Sequence, residues 1–438
     1  MSDNPAEKID ATRRALWWKR FLDMRPRVRT MLMIIALCAV CFGSWKLHDA
    51  YGEPRRAMRS HHLRVLGEGG ATERRLALEG LDAENDGSDR RLFPAILTAT
   101  FDEDARVRAV AASALVRATS RGIALEKEKF ASEVGATTNA IFTLLEDADP
   151  EVRFAATEAL GNFGLPNDLK EYGPAAAAVV PRLTAIAERD RALKVRAAAL
   201  RSIGAWASPE REAPAVLYRA LRRGNPSVVR KAALESLVTP YSLSMLWPNQ
   251  SRVVVALAAA ADAKDPELSA AIGYELQRFG SLPDAALPVA IEMLKTNNTV
   301  LQAAFTPILG RFGPRARAAV PILGELARVE IREKLQSGIA CAALVAIAPD
   351  SNEAQALLEP LVELAADVPQ SYTYLGVASI GFSYNGAASI LELYGAHAAA
   401  ALPALKRLRR RESSVPDFVP ALIENIETSL KTRKGETK

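Results

Sequence analysis

The chain is poor in the residues that most often do chemistry. It has three cysteines and four histidines in 438 residues. Three cysteines cannot build a disulfide framework. Cys38 and Cys41 form a C-x-x-C pair, but both lie in an apolar run and no second pair completes a zinc site. Cys341 sits in an alanine-rich stretch and reads as a small buried side chain. The histidines are His48, His61, His62 and His397, and none has the H-E-x-x-H spacing that sets two imidazoles on one helix face. His61-His62 reads as a solvated pair and His397 as a surface residue opening a helix. There is no G-x-S-x-G, no P-loop, and no G-x-G-x-x-G between strand and helix. These absences remove the common hydrolase, nucleotide-binding and metallopeptidase signatures. Scattered carboxylates are left as the material for any catalysis, and no metal or cofactor is expected.

Charge of one sign is lacking too, once its distribution is considered. The net charge is +5, yet residues 1–66 carry 13 Lys and Arg against 6 Asp and Glu. The other 372 residues hold 43 and 45, a balance of −2. The basic character therefore belongs to the amino-terminal segment, and a nucleic-acid-binding array loses its main support.

Only one uncharged apolar run is long enough to consider for a bilayer, Thr30 to Trp45. Sixteen residues reach roughly 24 Å as a helix, short for a span. Arg29 and Lys46 can snorkel and Trp45 can sit at the interface, so the run can still cross. Residues 30–46 are accordingly read as an uncleaved signal anchor. The small-x-small pattern of a cleavage site is poor after it, and neither Cys38 nor Cys41 follows the small residue a lipoprotein cysteine needs. Before the run, Ala11 to Met24 mixes Trp17, Trp18 and Phe21 with arginines and lysine, which suits a membrane surface. Seven Lys and Arg from Arg13 to Arg29 precede the span and five follow it, favouring a cytoplasmic amino terminus and an extracytoplasmic remainder of a plasma-membrane protein.

What the chain does have is a repeated phrase. Its clearest copy is Asp149-Pro-Glu-Val-Arg-Phe-Ala-Ala-Thr-Glu-Ala-Leu-Gly-Asn-Phe-Gly164. Asp149 can cap a helix, Pro150 fits its first position, and Gly164 can end it. Val152, Ala155, Ala156, Ala159, Leu160 and Phe163 fall on one stripe at helical spacing. Variants begin at Asp104, Ala192, Asn225, Asp265, Asn298 and Glu333. The shared apolar position recurs at Val107, Val152, Val195, Val229, Leu268, Leu301 and Leu335, in steps of 33 to 45 residues. A second apolar helix precedes each copy, often opened by proline, as at Pro181, Pro288, Pro321, Pro360 and Pro403. The 45-residue step is explained by an insertion from Gly122 to Ala136. Paired helices at this period predict an α-solenoid.

At these residues the sequence resembles the HEAT-repeat family, particularly the bacterial kind related to repeats of phycobilisome lyases. The motif is Asp-Pro-x-Val-Arg-x-x-Ala-x-x-Ala-Leu-Gly after an apolar helix, and the resemblance covers most of Arg91 to Lys431. It implies an all-α, right-handed solenoid of HEAT-like hairpins, here with an amino-terminal single transmembrane helix. It further implies a binding or scaffolding surface, since few such arrays are enzymes.

The expected layout is a basic juxtamembrane segment at 1–29, the anchor at 30–46, a linker and capping hairpin at 47–90, repeats at 91–431 and a charged tail at 432–438. Two sets of residues are candidates for partner binding. Arg108, Arg153, Arg196 and Arg230 hold one position in four repeats and would form a ladder for acidic groups, unless each pairs with a neighbouring Asp or Glu such as Asp104, Asp149 or Asp190. Ser269, Gln302 and Gln336 replace arginine later on. Tyr372, Tyr374, Phe382 and Tyr384, with Tyr394, form an aromatic group that can serve contact or fill space. The function expected is a membrane-anchored, non-catalytic scaffold that holds a protein partner in its concave groove. The alternatives are a lyase-related enzyme or chromophore-attachment factor, and then a nucleic-acid array.

Overall fold

The computed structural model of the chain describes residues 60–83, 91–163, 178–206, 215–238, 250–332, 338–367, 387–411 and 418–435. Every regular element among them is a helix. The expected anchor at 30–46 lies outside the described residues. Among those residues no helix is long and apolar enough to cross a membrane.

The chain divides into two compact units, Met1–Lys129 and Phe130–Lys438. In the first unit, α1 (residues 60–68) is followed by α2 (Ala71–Ala83), and between them Gly69 N donates to the Val65 carbonyl at 2.9 Å. Helix α3 (Phe93–Ala99) follows, and α4 (Ala105–Leu144) runs for 40 residues across the division. The insertion at 122–136 is therefore helical rather than a break between helices. Its composition explains this: Ala, Leu, Glu and Lys are good helix formers, and only Gly122 and Gly135 count against them. The division between the two units falls within this inserted stretch.

The second unit continues with α5 (Pro150–Gly161), α6 (Val179–Arg189), α7 (Leu193–Trp206), α8 (Ala215–Leu221), α9 (Ser227–Val238), α10 (Gln250–Ala260) and α11 (Pro266–Arg278). Then come α12 (Ala286–Leu294), α13 (Thr299–Phe312), α14 (Val320–Arg332), α15 (Ile339–Ile347), the short α16 (Asn352–Gln355) and α17 (Leu358–Asp367). The unit closes with α18 (Ala387–Tyr394), α19 (Leu402–Arg411) and α20 (Phe418–Gly435), so the terminal helix extends beyond the tail boundary expected at 431.

Second helices α5, α7, α9, α11, α13 and α15 stack in sequence, and each first helix from α6 to α14 packs on the second helix that follows it. The stack is held by the stripe seen in the sequence. Val152, Val195, Val229, Leu268 and Leu301 are all buried, as is Val107 in the first unit. Each such side chain contributes about 1.5–3 kcal/mol on leaving water. Local signals fix the helix starts. Asp149 accepts from Glu151 N, Asp265 from Leu268 N, and Asn298 from both Val300 N and Leu301 N. The prolines of α6, α12, α14, α17 and α19 all fall in a first turn, where no intrahelical N–H is needed. At Gly313 and Gly395 the backbone takes φ of 56° and 52°, open to glycine at little strain, and each residue begins a 3₁₀ segment leading to the next first helix.

One glycine role was not legible. Gly161 and Gly204 lie in the last turns of α5 and α7, facing the neighbouring second helix. A Cβ on Gly161 would stand 2.4 Å from Ser202 Oγ, and one on Gly204 would stand 2.9 Å from Ser236 Cβ. The serines use this approach. Ser202 Oγ donates to the Thr157 carbonyl and Ser236 Oγ to that of Leu200, both at 2.9 Å. The glycine of the Ala-Leu-Gly phrase is therefore a close-packing residue between repeats.

Candidate functional site

In three repeats of the second unit the turn between first and second helix is built on an aspartate. Asp147 Oδ1 accepts from Asp149 N, Asp190 Oδ1 from Ala192 N, and Asp262 Oδ1 from Lys264 N, at 2.8–3.0 Å. Asp102 does the same for Asp104 N in the first unit. These turns leave carbonyls without intrahelical partners, and the arginine ladder points at them.

Arg108 donates to the Asp102 and Glu103 carbonyls at 2.8 and 3.0 Å. Arg153 donates to the Asp147 and Ala148 carbonyls, then grips Asp190 of the next turn through Nε and NH2 at 2.8 and 3.0 Å. Arg196 donates to the Ala187 carbonyl at 2.9 Å. Arg230 is buried, reaching Asp265 Oδ2 at 3.2 Å and the Ala260 carbonyl. The ladder thus braces turns and joins repeats. For Arg153 the alternative of a neighbouring carboxylate holds: Asp190, in the next turn, is its partner.

Electrostatics agree with the geometry. Desolvation pushes Asp190 up, but the Arg153 fork, the Ala192 N–H and the nearby Arg196 charge outweigh it and hold the carboxyl below its ordinary value. The Asp190 hydrogen bond in turn raises Arg153. Where arginine is replaced, the task persists without charge. Ser269 Oγ donates to the Asp262 carbonyl and accepts from Asp262 N, and Gln302 Nε2 donates to the Thr296 carbonyl at 2.7 Å. Gln336 lies outside the described residues.

The exposed face of the second helices changes along the stack. At its start it is covered by ion pairs between successive repeats, Glu151 with Lys194 and Arg201 with Glu235, and Lys194 also stands 5.7 Å from the centre of the Phe154 ring. Farther on, Val228, Tyr274 and Val300 expose 42%, 49% and 52% of their surface. No sequence pattern distinguished these from core positions, because each lies next to the apolar stripe.

The aromatic candidates Tyr372, Tyr374, Phe382 and Tyr384 lie outside the described residues. Tyr394, their companion, is a core residue whose hydroxyl donates to the Ala354 carbonyl at 2.7 Å. Burial pushes its phenol well up. Two histidine expectations need correction. His62 is not solvated but buried at 6% exposure against α2, where Gly80 leaves room for its ring. His397 is half-buried within a 3₁₀ segment rather than opening a helix at the surface. Cys341 is buried as expected, its thiol donating to the Ala327 carbonyl at 3.6 Å and pushed up first by burial, then by Glu330. Glu330 instead caps α15, accepting from Ala340 N and Cys341 N at about 3.0 Å. Among the described residues no three His, Cys, Asp or Glu converge as a metal would need. A crevice in the first unit between Leu78, Ile96, Ala114 and Arg117 has about 10 Å³ of internal volume, room for one water.

Residues 138–165 match the HEAT repeat. That stretch covers the end of α4, the Asp147 turn and α5 with its Arg153. No curated protein matches the chain. Among solved structures, one similar chain is an engineered protein, with 18% identity and a TM-score of 0.46 over 86% of this chain and 95% of that one. Another comes from the structure of Kap95p with RanGDP, at 13% identity and a TM-score of 0.49, over 98% of this chain and 56% of that one.

Proposed function

We propose that the chain is a protein-interaction scaffold, tethered to the plasma membrane by residues 30–46 with its amino terminus in the cytoplasm and its repeats outside. The observation that carries the reading is the second-helix face of α9, α11 and α13. There Val228, Tyr274 and Val300 are left to solvent. These helices are fixed by their neighbours, so a partner docks on them without first ordering them. The role is binding rather than chemistry: the ladder arginines are spent on turns and on neighbouring carboxylates.

The test is a photoreactive amino acid at Tyr274 in the full chain, in its native membranes, beside a control at Arg328 on the first-helix layer. A discrete protein adduct from residue 274 and none from residue 328 is expected. Equal capture at both positions, or none, would sink the reading. The tether is tested separately by carbonate extraction of membranes. Release of the full chain into the soluble fraction would remove the anchor from the proposal.

A further inference from the structure

The turns between first and second helices in the second unit lie along one edge, because contacts run from turn to turn. Arg153 links 147–148 to Asp190, while Arg223, Ser227 and Arg230 reach from their turn to Ala259, Asp265 and Ala260. The carboxylates of this edge are turned into the stack. Asp190 is taken by Arg153, and Asp265 by Ser227, Arg230 and Leu268 N. The edge's cations are left outside. Arg189, Arg191, Arg222, Lys264, Lys295 and Arg332 are all exposed, and none forms an ion pair among the described residues. Glu188 is neutralised by Arg219, and Glu267, exposed in the first turn of α11, interrupts the row.

Beside these cations stand exposed aliphatic side chains. Leu193 adjoins Arg191 at 40% exposure, Val228 follows Arg222 and Arg223, and Val300 follows Lys295. Packed helices put successive turns about 10 Å apart, the length of roughly three residues of extended chain. From this we infer that the edge is a docking track for an extended acidic polypeptide carrying an apolar residue at about every third position. The inference rests on the scaffold reading and names the partner's chemistry. A peptide is favoured over other polyanions by the discrete aliphatic contacts at repeat spacing. Among the described residues the edge has no aromatic platform on which bases could stack, and a bilayer has no use for the periodicity.

The experiment uses the full chain in detergent micelles and fluorescence anisotropy of a labelled peptide about 18 residues long, glutamate-rich with leucine at every third place. The charge-reversed variant R191E/R222E/K295E is compared with wild type, and R407E on exposed α19 serves as a control of equal sign. These positions hold no internal ion pair, and circular dichroism checks that the fold persists. The expected result is binding that weakens about tenfold or more in the triple variant, falls as salt screens it, and is unchanged in R407E. Replacing the leucines by serine should also weaken it. No binding to wild type, equal loss in R407E, or indifference to the leucines would overturn the track. So would loss, in the triple variant, of affinity for an oligonucleotide or an anionic vesicle that wild type binds more tightly than the peptide. If the edge fails while the photoreactive residue at 274 still captures a protein, the scaffold stands and the track falls; failure of both removes both.

Discussion

Two regions of the second unit solve the same problem with different chemistry. At α5 and α9 the brace is ionic: Arg153 holds Asp190 and Arg230 holds Asp265, each reaching from one repeat to the next turn. At α11 and α13 the brace is neutral: Ser269 and Gln302 tie down their own turns by hydrogen bonds alone. The ionic repeats carry more risk. Arg153 and Asp190 have side chains only 15% and 7% exposed, so either one alone is a buried charge. The neutral repeats lose less when altered; Tyr274 and Val300 are exposed there, as Val228 is on the ionic α9.

The sharpest way to break this comparison is Arg153→Ala. It strands the Asp190 carboxylate and should cost about 3–5 kcal/mol, read as a drop in the denaturant midpoint. A loss no larger than that of a surface substitution would mean the clasp is ornamental. Next, Gly204→Ala puts a Cβ 3.1 Å from the Ser236 Cα, and overpacking of this kind should cost about 1–3 kcal/mol. Gly135→Ala in α4 meets nothing within 4 Å and should instead stabilise by up to about 1 kcal/mol. If both behave alike, close approach between second helices is not what the first glycine provides. Gln302→Ala in the neutral region should cost only about 1 kcal/mol, well below Arg153→Ala.

The smallest effect is a pH dependence. Asp190 is held below its unfolded value, so its contribution is complete above roughly pH 3.9 and fades as acid protonates the folded carboxyl. Wild type should lose stability on acidification below that point more steeply than Asp190→Asn. Parallel curves from pH 3 to 6 would show that the clasp carries no linkage.

Much of the second unit was legible in the sequence. Asp149, Pro150 and the Val152 stripe specify a helix by local capping and periodicity, which need no neighbour to be read. The prolines of the first helices were as plain. The insertion was located but its helicity was missed, because a period mismatch shows extra residues and not their conformation. His62 was misjudged for a related reason. An exposed-looking pair in sequence becomes half buried when α2 supplies a glycine for one ring to rest on.

The candidate site was less readable. Arginine at one repeat position is the same letter whether its fork faces a partner or a turn, and only the placement of Asp190 beside Arg153 settles that. The same holds for Val228, Tyr274 and Val300, whose apolar identity suggests burial. The sequence by itself determined the helices, their ends and their period, since caps and stripes act within a few residues. Tertiary structure alone decided which charges are consumed and which remain. That depends on how one turn lies against the next, about 35 residues away along the chain and one hydrogen bond away in space.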